Sequence, residues 1–252
     1  NEPGNSRFVQ RLRDEFHNCW DDCADNAQEM LAAITAMSNA IVVTPLDPAV
    51  VASRALALRE GIVASTGGRH EANLVAKYEF KEGGGSIAYD TSGVAPSLDL
   101  VLSGAVEWVG GWGIRLDGGK AQGSTQNSGK LYNLLTASGE YSIEAWVAPA
   151  NVTQEGPARI VSYSGGGNAR NFLLGQSMYN YDFLNRNSVT NAAGAPALST
   201  ADAAQRLQAT LQHVVVTYTA AGGRRIYVNG EYTGDLDPAG NGTLSTWNNS
   251  FA

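Results

Sequence analysis

The sequence predicts a mainly β protein in which a β-sandwich follows an N-terminal helical segment. Three observations support this fold class. Glycine is abundant, with 29 residues in a chain of 252, while charged residues make up only 16%, a composition typical of proteins with many turns between strands. Apolar residues near the N-terminus recur at steps of three and four, the period of a helix. From residue 73 onward the apolar period changes to two, the period of a strand.

The first predicted element is one long amphipathic helix from Ser6 to Thr44. Its apolar residues form a single stripe: Phe8, Leu12, Phe16, Cys19, Cys23, Ala27, Met30, Ile34, Met37 and Ile41. Ser6 is a suitable N-cap, and Thr44 precedes Pro45, which disfavours helical backbone at the preceding residue. At 1.5 Å per residue the stripe is roughly 50 Å long, and we expect it to be buried against a partner such as another copy.

A second, shorter helix is predicted from Pro48, because proline suits the first position of a helix. This helix would stop near Gly61, before a linker of Thr, Gly and Gly at 66–68. The sequence therefore predicts two domains, a helical extension or stalk at 1–66 and a β-sandwich at 73–252.

Cys19 and Cys23 are the only two cysteines, and on the predicted helix they share one face. A bridge between them across one helical turn would strain disulfide geometry. Two thiols without further Cys or His ligands do not make a zinc site. Buried free thiols and bonds to cysteines outside this chain remain, and we favour the second.

Short strands separated by glycine-rich turns are predicted from residue 74 onward. They cover residues 74–80, 98–102, 106–109, 113–116, 141–147, 159–163, 171–174, 211–218 and 225–228. Strands at this spacing indicate a sandwich or a barrel. Residues 185–208 lack strand periodicity and predict a long loop with one short helix at 201–207.

Three segments carry a resemblance to a known family. The first contains a strand at 75–80, the turn Asp90-Thr-Ser-Gly and a strand that closes on Asp117-Gly118. The second is Tyr-Ser-Ile-Glu-Ala-Trp-Val at 141–147, and the third pairs His-Val-Val-Val-Thr-Tyr at 213–218 with Tyr-Val-Asn-Gly at 227–230. In this order they resemble a laminin-G-like domain of the concanavalin A-like lectin and glucanase superfamily. The resemblance implies a jelly-roll β-sandwich.

Members of this family have two or more strands after the hairpin that corresponds to 227–232, and these strands pair with the first strand. The sequence ends at Ala252, where such a strand would begin. We therefore expect the sandwich to lack its last strands, and strands from a C-terminal continuation or a second chain to pair beside residues 74–80. Without them the 252-residue protein is expected to aggregate or to melt at low temperature.

Catalysis is not expected. Glucanases of this superfamily place carboxylates on alternate positions of one strand, about 5 Å apart. No such run occurs here, and Glu144 has Ser142 and Trp146 as its neighbours on the same face. His213 is expected to be a packed strand residue rather than a base. A hydrolase or lyase with an unfamiliar catalytic set is the alternative.

Two candidate ligand sites follow. The resemblance permits Ca²⁺, a cation that takes oxygen ligands, at Asp90; alternatively, Asp90 caps a turn through its own backbone. The candidate ligand-binding residues are Tyr179, Tyr181, Asp182 and Asn185. Residues 178–187 mix aromatic, amide and carboxylate side chains, as a carbohydrate site does, although a strand with buried aromatics would show the same pattern.

Charge and hydropathy exclude some functions. A net charge of −7 argues against a nucleic-acid groove and against an anionic membrane surface, and no apolar run is long enough to span a bilayer. We expect a non-catalytic binding or structural module that is extracellular, at the cell surface or periplasmic, with a glycan or a protein as its partner. A structural subunit of a surface polymer, self-associating through the N-terminal helix, is the alternative.

Overall fold

The computed structural model describes residues 2–16, 19–40, 72–110 and 113–252. The chain divides into two compact units, residues 1–55 and 56–252. The predicted second helix and the linker at 66–68 lie outside the described residues, and the predicted domain boundary stays a prediction. In the part of the chain that is described, no helix is both long and apolar enough to cross a membrane.

The first unit contains two helices rather than the single long helix that the apolar stripe predicts. They are α1 (Arg7–Arg13) and α2 (Cys23–Ala40). The helices pack against each other and bury Val9 and Leu12 of α1 and Ala27 of α2. The prediction of one continuous stripe from Phe8 to Ile41 is therefore wrong.

The start of α2 explains why the predicted long helix is interrupted and why the two cysteines can form a disulfide bond. The carboxylate of Asp22 accepts hydrogen bonds from the backbone N–H groups of Ala24 (2.9 Å) and Asp25 (3.1 Å), as an N-cap does. Cys19 thus precedes the helix that Cys23 begins, and their Cα atoms lie 5.1 Å apart in a disulfide bond. The prediction of bonds to cysteines outside the chain is wrong, because it placed both thiols on one continuous helix.

Several large apolar side chains of the first unit are exposed to solvent. They are Phe8 (70%), Phe16 (72%), Trp20 (58%) and Met37 (62%). Self-association through this unit stays a prediction.

The second unit is mainly β, as predicted. Its strands in the described residues are β1 (Ile87–Ala88), β2 (Leu100–Ser103), β3 (Val106–Val109), β4 (Gly113–Leu116), β5 (Lys120–Gln122), β6 (Glu140–Val147), β7 (Ala158–Ser164), β8 (Arg170–Ser177), β9 (Asn180–Asn185), β10 (Leu198–Ser199), β11 (Gln212–Thr219), β12 (Gly223–Val228) and β13 (Glu231–Tyr232). A helix, α3 (Thr125–Ser138), precedes β6. Two antiparallel sheets form the sandwich: sheet I in the order β10-β9-β8-β7 and sheet II in the order β13-β12-β11-β6. β1, β2 and β5 form a smaller sheet, and β3 pairs with β4.

The core consists of aromatic and branched side chains from both sheets of the sandwich. Its buried members are Tyr141, Tyr163, Phe172, Leu174, Tyr181, Phe183, Leu198, Leu207, Val214, Val216, Tyr218, Ile226, Val228, Leu244, Trp247 and Phe251. The ring of Tyr141 contacts those of Phe172, Phe183, Tyr218 and Trp247. Because strand residues alternate between faces, the residues between the core positions of β6 and β11 face away from the core.

Most predicted strands are confirmed, and so is the hairpin at 227–232, where Asn229 and Gly230 have the positive φ angles of a tight turn, 52° and 85°. The predicted loop at 185–208 contains β10 and, within its predicted helix, one short 3₁₀ turn at Asp202–Ala204.

Residues 74–80 differ from prediction, because they are not part of a sheet. The turn that follows them holds them instead: the N–H of Thr91 donates to the carbonyl of Lys77 (2.9 Å). The last residue pairs elsewhere. Ser164 and Ala252 exchange backbone hydrogen bonds of 3.0 and 3.4 Å beside β7. Within the described residues Ala252 thus pairs at the β7 edge, and the pairing of further strands beside residues 74–80 stays a prediction.

Arg224 of β12 is a buried cation that joins the two sheets. Only 2% of the residue is exposed. Its guanidinium donates to the carbonyls of Phe183 in sheet I (2.9 Å) and Pro196 (2.8 Å), and it pairs with the carboxylate of Asp237 at 2.5 Å. Burial alone would raise the pKa of Asp237, but hydrogen bonds from Arg224 and from the backbone outweigh it and lower that pKa. The pair therefore ties the segment after β13 to the sandwich.

We expect Arg224→Met to lower the free energy of unfolding by about 3–5 kcal/mol, because it leaves the half-buried carboxylate of Asp237 without its cation. The folded-state pKa of Asp237 is lowered, so the stability of the pair is present above the ordinary carboxyl pKa and is lost as the pH falls through the folded value. Urea unfolding at neutral pH and at decreasing pH measures both effects. Arg225→Met, which removes the exposed neighbouring arginine, is the control, and an equal loss in both variants would contradict the assignment.

Candidate functional site

The outward face of sheet II carries a cluster of aromatic side chains. Trp146 on β6 and Tyr232 on β13 are 63% and 49% exposed. The ring of His213 lies beside that of Trp146 with centroids 4.8 Å apart, and the ring of Tyr227 lies 5.3 Å from that of Tyr232. We call these four residues the aromatic face.

Strand alternation and register bring the four rings together. On β11, His213 and Val215 are half-buried on the outside, while Val214 between them is buried in the core. The register places Trp146 opposite His213, and Tyr227 opposite both Val215 and Tyr232. With strands about 4.8 Å apart, the face extends roughly 14 Å across the sheet from β6 to β13.

Charged side chains lie among the rings of the aromatic face. Oε1 of Glu144 is 3.0 Å from Nε2 of His213, and the two side chains are 39% and 24% exposed. Arg225 is exposed on β12, one alternation along from Tyr227. The surface therefore offers flat apolar rings, a carboxylate acceptor and a guanidinium donor.

The positions adjacent to Glu144 on this face hold no second carboxylate. Ser142 and Trp146 flank it along β6, and Val215 lies opposite it on β11. A retaining glycosidase needs two carboxyl groups about 5–5.5 Å apart. Glu144 therefore lacks, at these neighbouring positions, the second carboxyl group of that mechanism.

The ligand-binding residues predicted from the sequence lie on or next to β9 in sheet I: Tyr179, Tyr181, Asp182 and Asn185. Tyr181 and Asn185 are completely buried, Asp182 is 6% exposed and Tyr179 is half-buried. This placement corresponds to the alternative prediction of a strand with buried aromatics.

Hydrogen bonds inside the sandwich occupy the hydroxyl of Tyr181 and the side-chain oxygen of Asn185. The hydroxyl of Tyr181 donates to Oε1 of Gln212 at 2.8 Å. The side-chain oxygen of Asn185 accepts a bond from the hydroxyl of Tyr141 at 2.8 Å. These contacts belong to the core, and the role of the four predicted residues in ligand binding stays a prediction.

Sequence reasoning missed the aromatic face, although one signal was present. Alternation within 142–147 already placed Glu144 and Trp146 on one side of their strand. An apolar run such as 213–217 is typical of a strand covered on both sides, whereas His213 and Val215 are only half-buried. Their neighbours across the sheet could not be known without the register.

Asp90 acts as a backbone cap and a buried ion-pair partner. Its Oδ1 accepts hydrogen bonds from the N–H groups of Ser92 (3.0 Å) and Lys77 (3.1 Å). Its Oδ2 accepts the N–H of Leu98 (3.0 Å) and the ammonium of Lys130. Burial alone would raise the pKa of Asp90, but the hydrogen bond from Lys130 and the backbone bonds outweigh it and lower that pKa.

This environment does not fit the Ca²⁺ ion that the resemblance permits at Asp90. Both carboxylate oxygens already accept two donors, and one of these is a cation that would repel a metal ion. Across the described ranges, no group of three or more His, Cys, Asp or Glu side chains could hold a metal.

We expect neither Ca²⁺ nor a chelator to change the melting temperature of the protein, because Lys130 supplies the positive charge that a metal would bring to Asp90. Differential scanning calorimetry at constant ionic strength measures this. Lys130→Met should lower the unfolding free energy by about 3–5 kcal/mol, since it leaves a buried carboxylate without its cation. A saturable rise in melting temperature with Ca²⁺ that Asp90→Asn abolishes would contradict this assignment.

Comparison with known proteins agrees with the fold. A family model of the laminin-G type, described as concanavalin A-like lectin/glucanases superfamily, matches residues 117–252, more than half of the chain. No curated protein matches the chain.

Two solved structures are similar to parts of the chain. One is the binding domain of botulinum neurotoxin DC in complex with rat synaptotagmin II, with a TM-score of 0.46 and 17% identity over 68% of this chain and 42% of that one. The other is the receptor-binding domain of a botulinum neurotoxin C/D mosaic serotype, with a TM-score of 0.41 and 15% identity over 67% and 41%. The chain spans about two fifths of the length of either structure.

Proposed function

Because the chain belongs to the concanavalin A-like lectin/glucanases superfamily, we propose that it is a non-catalytic module that binds a glycan outside the cytoplasm. The aromatic face of sheet II is the proposed binding surface. One observation carries the proposal: four aromatic rings, led by a tryptophan that is 63% exposed, share one open face of a sheet.

The chemistry of the aromatic face suits a sugar. Large exposed aromatic groups leave apolar area in water, and covering this area is favourable. A pyranose ring has a face of C–H groups that can pack on Trp146 or Tyr232. Its hydroxyl groups can donate to the carboxylate of Glu144 and accept from the guanidinium of Arg225. The span of the face across four strands leaves room for more than one sugar ring.

The mixture of charges and rings favours a glycan over a protein partner. Protein interfaces concentrate apolar residues in a central patch and keep charged residues at the rim. Here Glu144 contacts His213 inside the aromatic face. A charged side chain and aromatic rings are therefore direct neighbours on this surface. A ligand that presents hydroxyl groups beside C–H groups matches that arrangement.

A location outside the cytoplasm is supported by the first unit. The disulfide between Cys19 and Cys23 suits an oxidising compartment, since cytosolic thiols are kept reduced. An extracellular, cell-surface or periplasmic location is part of the proposal.

We expect Trp146→Ala to weaken binding to glycans about 5- to 30-fold, because the loss of one well-exposed aromatic contact costs ~1–2 kcal/mol. A glycan array identifies the ligand, and titration calorimetry measures the affinity. Trp20→Ala, which removes a similarly exposed tryptophan of the first unit, is the matched control and should bind as the wild type does. Absence of any glycan ligand, or equal affinities for the two variants, would overturn the proposal.

We also expect no hydrolysis of β-glucans by the wild-type protein, because Glu144 lacks a carboxylate neighbour on its face. A reducing-end assay with wild type and Glu144→Gln measures this. Turnover by the wild type that disappears in the variant would show the protein to be a hydrolase.

A further inference from the structure

The turn between β7 and β8 contains three consecutive glycines at 165–167, and hydrogen bonds hold its two ends together. Ser164 pairs with Arg170 across the hairpin, and the N–H of Gly165 donates to the carbonyl of Ala169 at 3.0 Å. Between these fixed ends, a Cβ added to Gly166 or Gly167 would meet no atom within 4 Å. The tip of the turn therefore has free space around it.

Two arginines bind neighbouring carbonyls of this turn. Arg159 of β7 donates to the hydroxyl of Ser164 (3.3 Å) and to the carbonyl of Gly166 (2.9 Å). Arg170 of β8 donates through Nη2 to the carbonyl of Gly167. Two positive charges thus meet at one short turn.

The described residues provide no acidic partner for either arginine. Among the described residues no carboxylate lies within ion-pair distance of Arg159 or Arg170. Arg170 is only 6% exposed, and its Nε and Nη1 are buried without a hydrogen-bond acceptor. Burial and the charge of Arg159 both lower the pKa of Arg170. An unpaired buried cation is unfavourable, so an anion bound beside Arg170 would stabilise the folded protein.

Arg224 provides a comparison within the same unit. It is buried to a similar degree, at 2% exposure, yet it has the carboxylate of Asp237 and two backbone carbonyls as acceptors. The described part of the chain therefore supplies an acidic partner to Arg224 and none to Arg170.

We propose that the turn at residues 164–169, with Arg159 and Arg170, binds a compact oxyanion such as a sulfate, phosphate or carboxylate group. The exposed guanidinium of Arg159 meets the anion first. When the carbonyl of Gly167 leaves Nη2 of Arg170, that nitrogen forms, together with Nε or with Nη1, the planar fork that oxyanions accept in a bidentate manner. The site lies on sheet I and is independent of the aromatic face on sheet II.

Titration of the full chain with sodium sulfate, sodium phosphate or sodium acetate, each compared with sodium chloride at equal ionic strength, tests the proposal. Melting temperature and amide NMR shifts at 164–170 are the readouts. We expect saturable binding of at least one oxyanion, and the dissociation constant should rise about tenfold in Arg159→Met, which removes charge-assisted hydrogen bonds. Arg115→Met, an exposed arginine on β4, is the control and should leave the dissociation constant unchanged.

Arg170→Met provides a second test. If the arginine serves the anion, this variant loses the saturable response, and without anion it melts no lower than the wild type, because an unpaired buried charge has been removed. If Arg170→Met does not fold, the Arg159→Met and Arg115→Met pair decides alone. No saturable binding of any of the three anions, or equal weakening in those two variants, would overturn the proposal. Trp146→Ala should leave anion binding unchanged, which separates this outcome from that of the glycan proposal.

Discussion

The buried cation Arg224 fixes the arrangement on which the rest of the sandwich depends. Along β12, Arg224 and Ile226 face the core while Arg225 and Tyr227 face outward. A slip of one residue would exchange these faces. Such a slip would also take the guanidinium away from Asp237 and from the carbonyls of the other sheet, leaving buried charges unpaired. The ion pair thus selects the register that turns Tyr227 outward, toward Tyr232 and β11.

The backbone of the aromatic face is consequently held by strand pairing, while its side chains are accessible to solvent. Its rings stand on strands that pair with β11 or with each other, and the inward residues of those strands pack in the core. Trp146 is held by β6, which lies at the edge of sheet II. A preformed surface of this kind loses little conformational entropy when a ligand binds. Because little conformational entropy is lost, flat sheet faces make effective binding surfaces.

Local signals predicted the strands of the sandwich well and some other elements not at all. Alternation is a property of single strands, so β6, β11 and the turn at Asn229 could be assigned from sequence. Helix α3 was missed, although its ends are marked by Ser124, whose hydroxyl caps the N–H of Asn127 at 3.1 Å, and by Gly139 with φ 73°. In the first unit the apolar stripe was a weaker signal than the cap at Asp22, because a side chain bonded to the first N–H groups of a helix marks a start.

The candidate site shows why composition alone did not point to the aromatic face. Residues 178–187 and the aromatic face both combine aromatic with polar side chains, and sequence cannot tell which strand is covered. β9 lies inside sheet I between β8 and β10, and both of its faces are buried, so Tyr181 became part of the core. β6 lies at a sheet edge with one face open, so Trp146 remained exposed. Coverage depends on strand order and on what packs above each sheet, which are long-range properties. The proposed glycan surface is therefore the face that the fold leaves uncovered, and the register of the strands decides which residues lie on it.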